Sequence, residues 1–132
     1  MRFARFIFIS LFMIAACAVA SDADIRKSLI GVWRVVQSPR EDRGMVSIVT
    51  FTPSADFTNR IIFPGVAREI DMSGSFQVQD GYLIMTITKS SQQTVERLPL
   101  VIHSKILQAD DSQLVFVADG TTNKQTFKKE TR

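Results

Sequence analysis

The sequence predicts an all-β domain of antiparallel strands, preceded by a short helix and a leader. Three observations carry this. Short runs rich in Val, Ile, Thr and Phe recur between turn residues from residue 32 to near the C-terminus. In several runs apolar and polar residues alternate, which is how a strand with one buried face reads. The long helices that parallel crossovers require are missing from the pattern.

Residues 1–20 read as a secretory signal. Arg2 and Arg5 form a basic start, and residues 6–14 carry no charge. That run is shorter than the roughly 20 apolar residues of a membrane-spanning helix and has the length of a signal's apolar region. Ala18-Val19-Ala20 then offers a small-x-small cleavage site, leaving Ser21 first. A second route stays open. Ile14-Ala15-Ala16-Cys17 resembles the bacterial lipobox, in which the signal ends at residue 16 and Cys17 is lipidated. Cys17 is the single cysteine of the chain, so neither route leaves a disulfide framework.

Charge and length then narrow the classes. The formal +3 comes from 16 basic and 13 acidic residues, and Arg2 and Arg5 leave with the signal. The remaining 14 against 13 give +1, which supplies no electrostatic footprint for nucleic acid. A membrane is expected as a partner only if Cys17 is lipidated. Lys128, Lys129 and Arg132 read as a solvated tail. Residues 21–132 suffice for one domain with one core.

Residues 22–30 form the one good helix candidate, capped by Asp22 or Asp24, with Ile25, Leu29 and Ile30 on one side and Gly31 ending it. Strands are expected at 32–38, 45–52 and 56–63, with Pro53 in the tight connection between the last two. Residues 66–70 read as a short strand of their own. Strands at 74–79 and 82–89 flank Asp80-Gly81, the strongest hairpin signal in the chain. A long strand over 94–107 should bend at Pro99 or carry it at a bulge. Strands at 113–118 and 124–129 follow the turns at Asp110-Asp111-Ser112 and Asp119-Gly120. Eight or nine strands with one apolar face must close on themselves or on a second sheet.

Gly31-Val32-Trp33, set between the helix and the first strand, resembles the G-x-W signature of lipocalins and of smaller bacterial lipocalin-like (calycin-type) domains. Thr50-Phe51-Thr52-Pro53 with Phe57 is similar to the T-F-x-P-x-G-x-F hairpin of the bacterial group, with Ala55 or Asp56 in place of its glycine. Ser73-Gly74-Ser75-Phe76 is similar to its G-x-[WYF] strand start. Asp80-Gly81-Tyr82-Leu83 and Asp110-Asp111-Ser112-Gln113-Leu114 are similar to its D-x-L turns, and Phe127-Lys128 to its aromatic–basic ending. The resemblance implies an eight-stranded up-and-down barrel with a plug helix. It also implies that Gly31 and Trp33 are fold residues, with Trp33 stacked under a base drawn from Lys128, Lys129 and Arg132.

No constellation names a reaction. His103 is the single histidine, so a two-histidine metal site is out of reach, and no metal or cofactor is implied. A serine nucleophile would need His103 as its base, and no G-x-S-x-G elbow is present. The acidic pairs Glu41-Asp42 and Asp110-Asp111 fall in turns, where Asp is expected for local hydrogen bonding.

The apolar inventory is the better guide. An eight-stranded barrel either fills with side chains or holds one small ligand. Short loops and small size favour a filled or nearly filled interior. The sharper alternative is a partial cavity lined by Phe51, Phe76, Met85 and Phe116. The resulting expectation is an exported, non-catalytic binding protein of the periplasm or exterior, or an outer-membrane lipoprotein, with a small apolar ligand in its cup. The alternative is a module that binds an envelope protein, as an inhibitor or immunity-type protein would. It would use its outer face or the loops at 38–44 and 89–97.

Overall fold

The structure, a computed structural model, describes residues 21–36, 45–63, 65, 68–92 and 97–130. The signal, Cys17, Arg132, the 38–44 loop and part of the 89–97 loop lie outside the described residues. Helix α1 (Asp22–Leu29) precedes eight strands: β1 (Gly31–Val35), β2 (Val46–Phe51), β3 (Asp56–Phe63), β4 (Arg68–Gln79), β5 (Tyr82–Ser90), β6 (Leu100–Ala109), β7 (Gln113–Ala118) and β8 (Lys124–Lys129). Each strand pairs antiparallel with the next, and β8 pairs back onto β1. The sheet therefore closes into an up-and-down barrel with no free edge.

Alternation makes the inside. In β2, Ser47, Val49 and Phe51 are buried, while Val46, Ile48 and Thr50 are less so. In β7 the buried pair is Leu114 and Phe116. Trp33, Phe57, Leu83 and Phe127 complete an apolar interior, while Arg34, Thr58, Arg60, Lys105 and Lys128 face water. A transmembrane barrel carries its apolar band on the outside, so this pattern is the reverse of one. No helix among the described residues is long and apolar enough to cross a membrane.

Two expectations about strands are corrected. Residues 66–70 and 74–79 do not form separate strands, because β4 runs unbroken from Arg68 to Gln79 and pairs with β3 from Phe63↔Arg68 to Asp56↔Ser75. Its small residues mark a bulge rather than a turn: the register with β5 shifts between Ser73 and Gly74. A Cβ on Gly74 would stand 1.8 Å from the Thr86 carbonyl oxygen, so only glycine lets the strands approach there. Pro99 lies just before β6 rather than bending a strand, since the ladder with β5 begins at Leu100.

The turns follow their chemistry. Asp80 and Gly81 both take positive φ, 52° and 78°, as a two-residue hairpin of the primed type requires. Ala55 adopts φ 67° at the position where the lipocalin-like hairpin pattern has glycine. Asp110 organises the β6–β7 turn. Its carboxylate accepts hydrogen bonds from Gln108 Nε2 at 2.8 Å, Ser112 N and Oγ at 2.9 Å, and Gln113 N at 2.8 Å. These bonds, the Gln108 side chain foremost, hold the carboxyl well below the usual carboxylate range.

Helix α1 seals one end. Eight residues are too few to hold a helix in isolation, and docking supplies the rest. Ser21, not Asp22 or Asp24, caps the helix, its hydroxyl accepting from Asp24 N at 3.2 Å. Asp22 is thereby free to accept from the backbone N–H groups of Asp80 and Gly81 at 2.8 and 2.9 Å, tying the helix to the β4–β5 turn. Arg26 reaches the Pro53 carbonyl at 3.3 Å and lies over the Phe76 ring, 6.0 Å from its centroid. Ile25 and Leu29 point into the barrel, and Leu29 is fully buried, which stabilises the plug by roughly 1.5–3 kcal/mol.

Candidate functional site

Trp33 floors the barrel just inside the plug. Its ring is fully buried, and Nε1 donates to the Leu29 carbonyl at 2.8 Å, pairing the indole with the end of α1. Of the three bases considered for stacking, Lys129 takes the place: its Nζ stands 5.5 Å from the Trp33 centroid and 3.4 Å from the Ser28 carbonyl. Lys128 points outward. Gly31 takes φ +137°, and a Cβ there would press on Lys129 Cε at 2.7 Å, so the glycine makes room for that lysine.

Above this floor the interior is hollow. A cavity of about 510 Å³ runs from Trp33, Phe51 and Phe57 toward the end opposite the helix. Val36, Met45 and Lys124 line it there and are exposed, so the cup opens at that end. The expected filled or nearly filled interior is therefore corrected. Several inward positions carry short side chains, Ser47, Ser104 and Ala118 among them, and too little volume projects inward to fill an eight-stranded barrel. The volume falls within the roughly 300–1,000 Å³ of small-molecule sites.

Three of the four residues expected to line a cavity do so: Phe51, Met85 and Phe116. Phe76 does not. It lies beneath the floor, edge-on to Phe51 with ring centroids 4.8 Å apart and Arg26 over its face, and belongs to the plug. Phe116 stacks on Phe127 at 5.4 Å, with the rings 9° from parallel, making one aromatic wall. Met72, Met85, Ile87 and Ile102 supply much of the rest of the apolar lining. Two other depressions include charged residues, Asp22 and Asp80 beside α1, and Arg60, Asp71 and Lys89 near the β4 bulge.

Among the polar residues that line the cavity, Ser47, Asn59 and Ser104 are buried or half-buried at inward positions, and the sequence reading passed over them. Ser47 Oγ donates to Asn59 Oδ1 at 2.9 Å, joining β2 to β3 inside the barrel. Ser104 on β6 is fully buried and lines the cavity, and its hydroxyl has no hydrogen-bond partner among the described residues. The signal was present. Ser47 stands two residues from Val49, Asn59 between Phe57 and Ile61, and Ser104 between Ile102 and Ile106. Each is a polar residue at an inward, apolar beat of its strand.

No family model matches the chain, and no curated protein matches it. Compatibility with a lipocalin-like fold therefore rests on the molecule itself, on the closed eight-stranded barrel, its plug helix and the Trp33–Lys129 stack.

His103 and Ser104 are neighbours in sequence but face opposite sides of β6, His103 exposed and Ser104 buried. The histidine cannot serve as a base for that hydroxyl. Among the described residues no cluster of His, Cys, Asp or Glu is arranged to hold a metal. What the site offers is an apolar cup with a few neutral hydrogen-bonding groups on its walls and Lys124 at its open end.

Proposed function

We propose that the protein is an exported, non-catalytic binding protein of lipocalin-like type that holds one small, mainly apolar molecule in its cup. The cavity of about 510 Å³ carries this reading. It is apolar on most sides, closed at one end by Trp33 and α1, and open at the other. Burial of apolar ligand surface there is worth about 25 cal/mol per Å², less the entropy lost on binding. Export rests on the reading of residues 1–20.

N-phenylnaphthylamine, a neutral dye dark in water and bright in apolar surroundings, tests the proposal. The expected result is saturable enhancement at one dye per chain, with quenching of Trp33, whose ring lines the floor. Ala118→Trp fills the upper cavity and should abolish both signals while leaving the circular dichroism of the barrel intact. A folded protein that neither brightens the dye nor loses Trp33 emission contradicts the proposal.

A second reading, binding of an envelope protein, draws on Leu98, Leu100, Val101 and Leu107, which stand 40–48% exposed on and beside β6. It expects a filled interior, and the cavity ranks it behind the first.

A further inference from the structure

The geometry points to a neutral ligand that carries a hydrogen-bonding oxygen, read inside the cup by the Ser104 hydroxyl. This rests on the cup reading and narrows it to a chemical class.

Ser104 is 0% exposed, yet its Oγ has no hydrogen-bond partner among the described residues. Leaving a buried hydroxyl unpaired costs about 1–3 kcal/mol. Alanine in that place would avoid the cost and keep the strand. The adjoining inward positions of β6 are Ile102 and Ile106, so the serine interrupts an apolar row. Ser104 lines the cavity from an inward position of β6, but its hydroxyl is covered, so a ligand must displace the side chains packed over it to reach the hydroxyl. It can donate one hydrogen bond and accept others.

The opposite wall adds a second point of recognition. In a closed ring of eight strands, β2 and β6 stand four apart in either direction, so Ser47 belongs to the wall opposite Ser104. Ser47 donates to Asn59 Oδ1, and that bond leaves the two N–H donors of the Asn59 amide uncommitted. Polar groups on both walls thus flank an apolar middle.

Charge decides between a neutral ligand and an acid. Among the described lining residues Lys124 is the one charged side chain, and it is exposed at the open end. A carboxylate beside Ser104 would be buried without a counter-ion, a cost far above the gain of one hydroxyl contact. A hydroxyl or carbonyl oxygen has no such penalty. An acidic amphiphile would place its carboxylate beside Lys124 at the open end, and its apolar remainder would offer Ser104 no oxygen.

Calorimetric titration of the full chain with 2-naphthol and 2-methylnaphthalene isolates the contact, because hydroxyl and methyl are nearly equal in size. The wild-type protein should prefer the naphthol. Ser104→Ala should reduce that preference about threefold to tenfold, the worth of one neutral hydrogen bond, with little change in affinity for methylnaphthalene. Ser104→Thr keeps the hydroxyl and should restore the preference. Thermal melts confirm folding, and Ser104→Ala without ligand should melt no lower than wild type. An unchanged preference in a folded Ser104→Ala protein would overturn the inference and leave the cup reading standing, water then being the partner of Ser104. If neither compound binds the wild-type protein, the cup reading falls and this inference with it.

Discussion

Trp33 and Ser104 are equally buried, both at 0% exposure, yet their polar atoms fare oppositely. At the closed end the Trp33 indole is bonded to Leu29, Lys129 covers its ring, and Asp22 serves two turn amides. On the cavity wall, by contrast, Ser104 Oγ has no partner among the described residues. A protein interior normally fills to crystal-like density and pairs its buried polar groups. The closed end obeys both rules. The cavity wall relaxes both, and the proposed ligand is what would satisfy them. Under the proposed cup reading, the contrast places stability at one end and ligand binding at the other.

The largest effect is expected at the floor. Trp33→Ala should lower unfolding free energy by about 3–5 kcal/mol in urea titrations, through lost volume and an unpaired Leu29 carbonyl. A loss below 1 kcal/mol would break the contrast. Gly74→Ala follows, at about 3 kcal/mol, because the Thr86 carbonyl must move to admit the new methyl. An unchanged melting curve would mean that β4 and β5 are looser at the bulge than the structure has them. Ile102→Ala, on the cavity wall, should cost only about 1–2 kcal/mol, since one side of that residue already faces open space. A cost equal to that of Trp33→Ala would argue for a filled interior.

The smallest effect concerns pH. Asp110 holds its proton less tightly in the folded protein, so its stabilisation is complete above the unfolded carboxylate value near about 3.9. It is lost as pH falls below that. Asp110→Asn should flatten the acid limb of the melting temperature without altering dye binding. A parallel shift at all pH values would assign the turn's strength to something other than this carboxylate.

Much of the closed end was legible in the sequence. Asp80-Gly81 demanded a tight hairpin, and Gly31-Val32-Trp33 placed the tryptophan behind the helix. The limits there were local. Ser21 took the cap because Asp22 serves the β4–β5 turn, a contact across 58 residues that no local pattern shows. The Ser73-Gly74 bulge looked like a break because a glycine that admits a neighbouring strand reads the same as one that turns the chain.

The cup was less legible. Whether a barrel is hollow depends on strand stagger and on the summed inward volume, and both appear only once register is fixed. Phe76 was grouped with Phe51 because both sit at inward beats, but their heights differ: one is beneath the floor, the other forms it. Ser47, Asn59 and Ser104 were readable as polar interruptions of apolar rows, and that is the signal to seek in other small barrels.

Methyl-resolved NMR of the protein titrated with N-phenylnaphthylamine tests the division between the two ends most directly. The account predicts saturable shifts at Ile61, Met85 and Ile102, with Ile25 and Leu29 in the plug and Val101 and Leu107 on the outer wall unmoved. Shifts confined to the plug or to the outer wall, or no saturable shift at all, would contradict it.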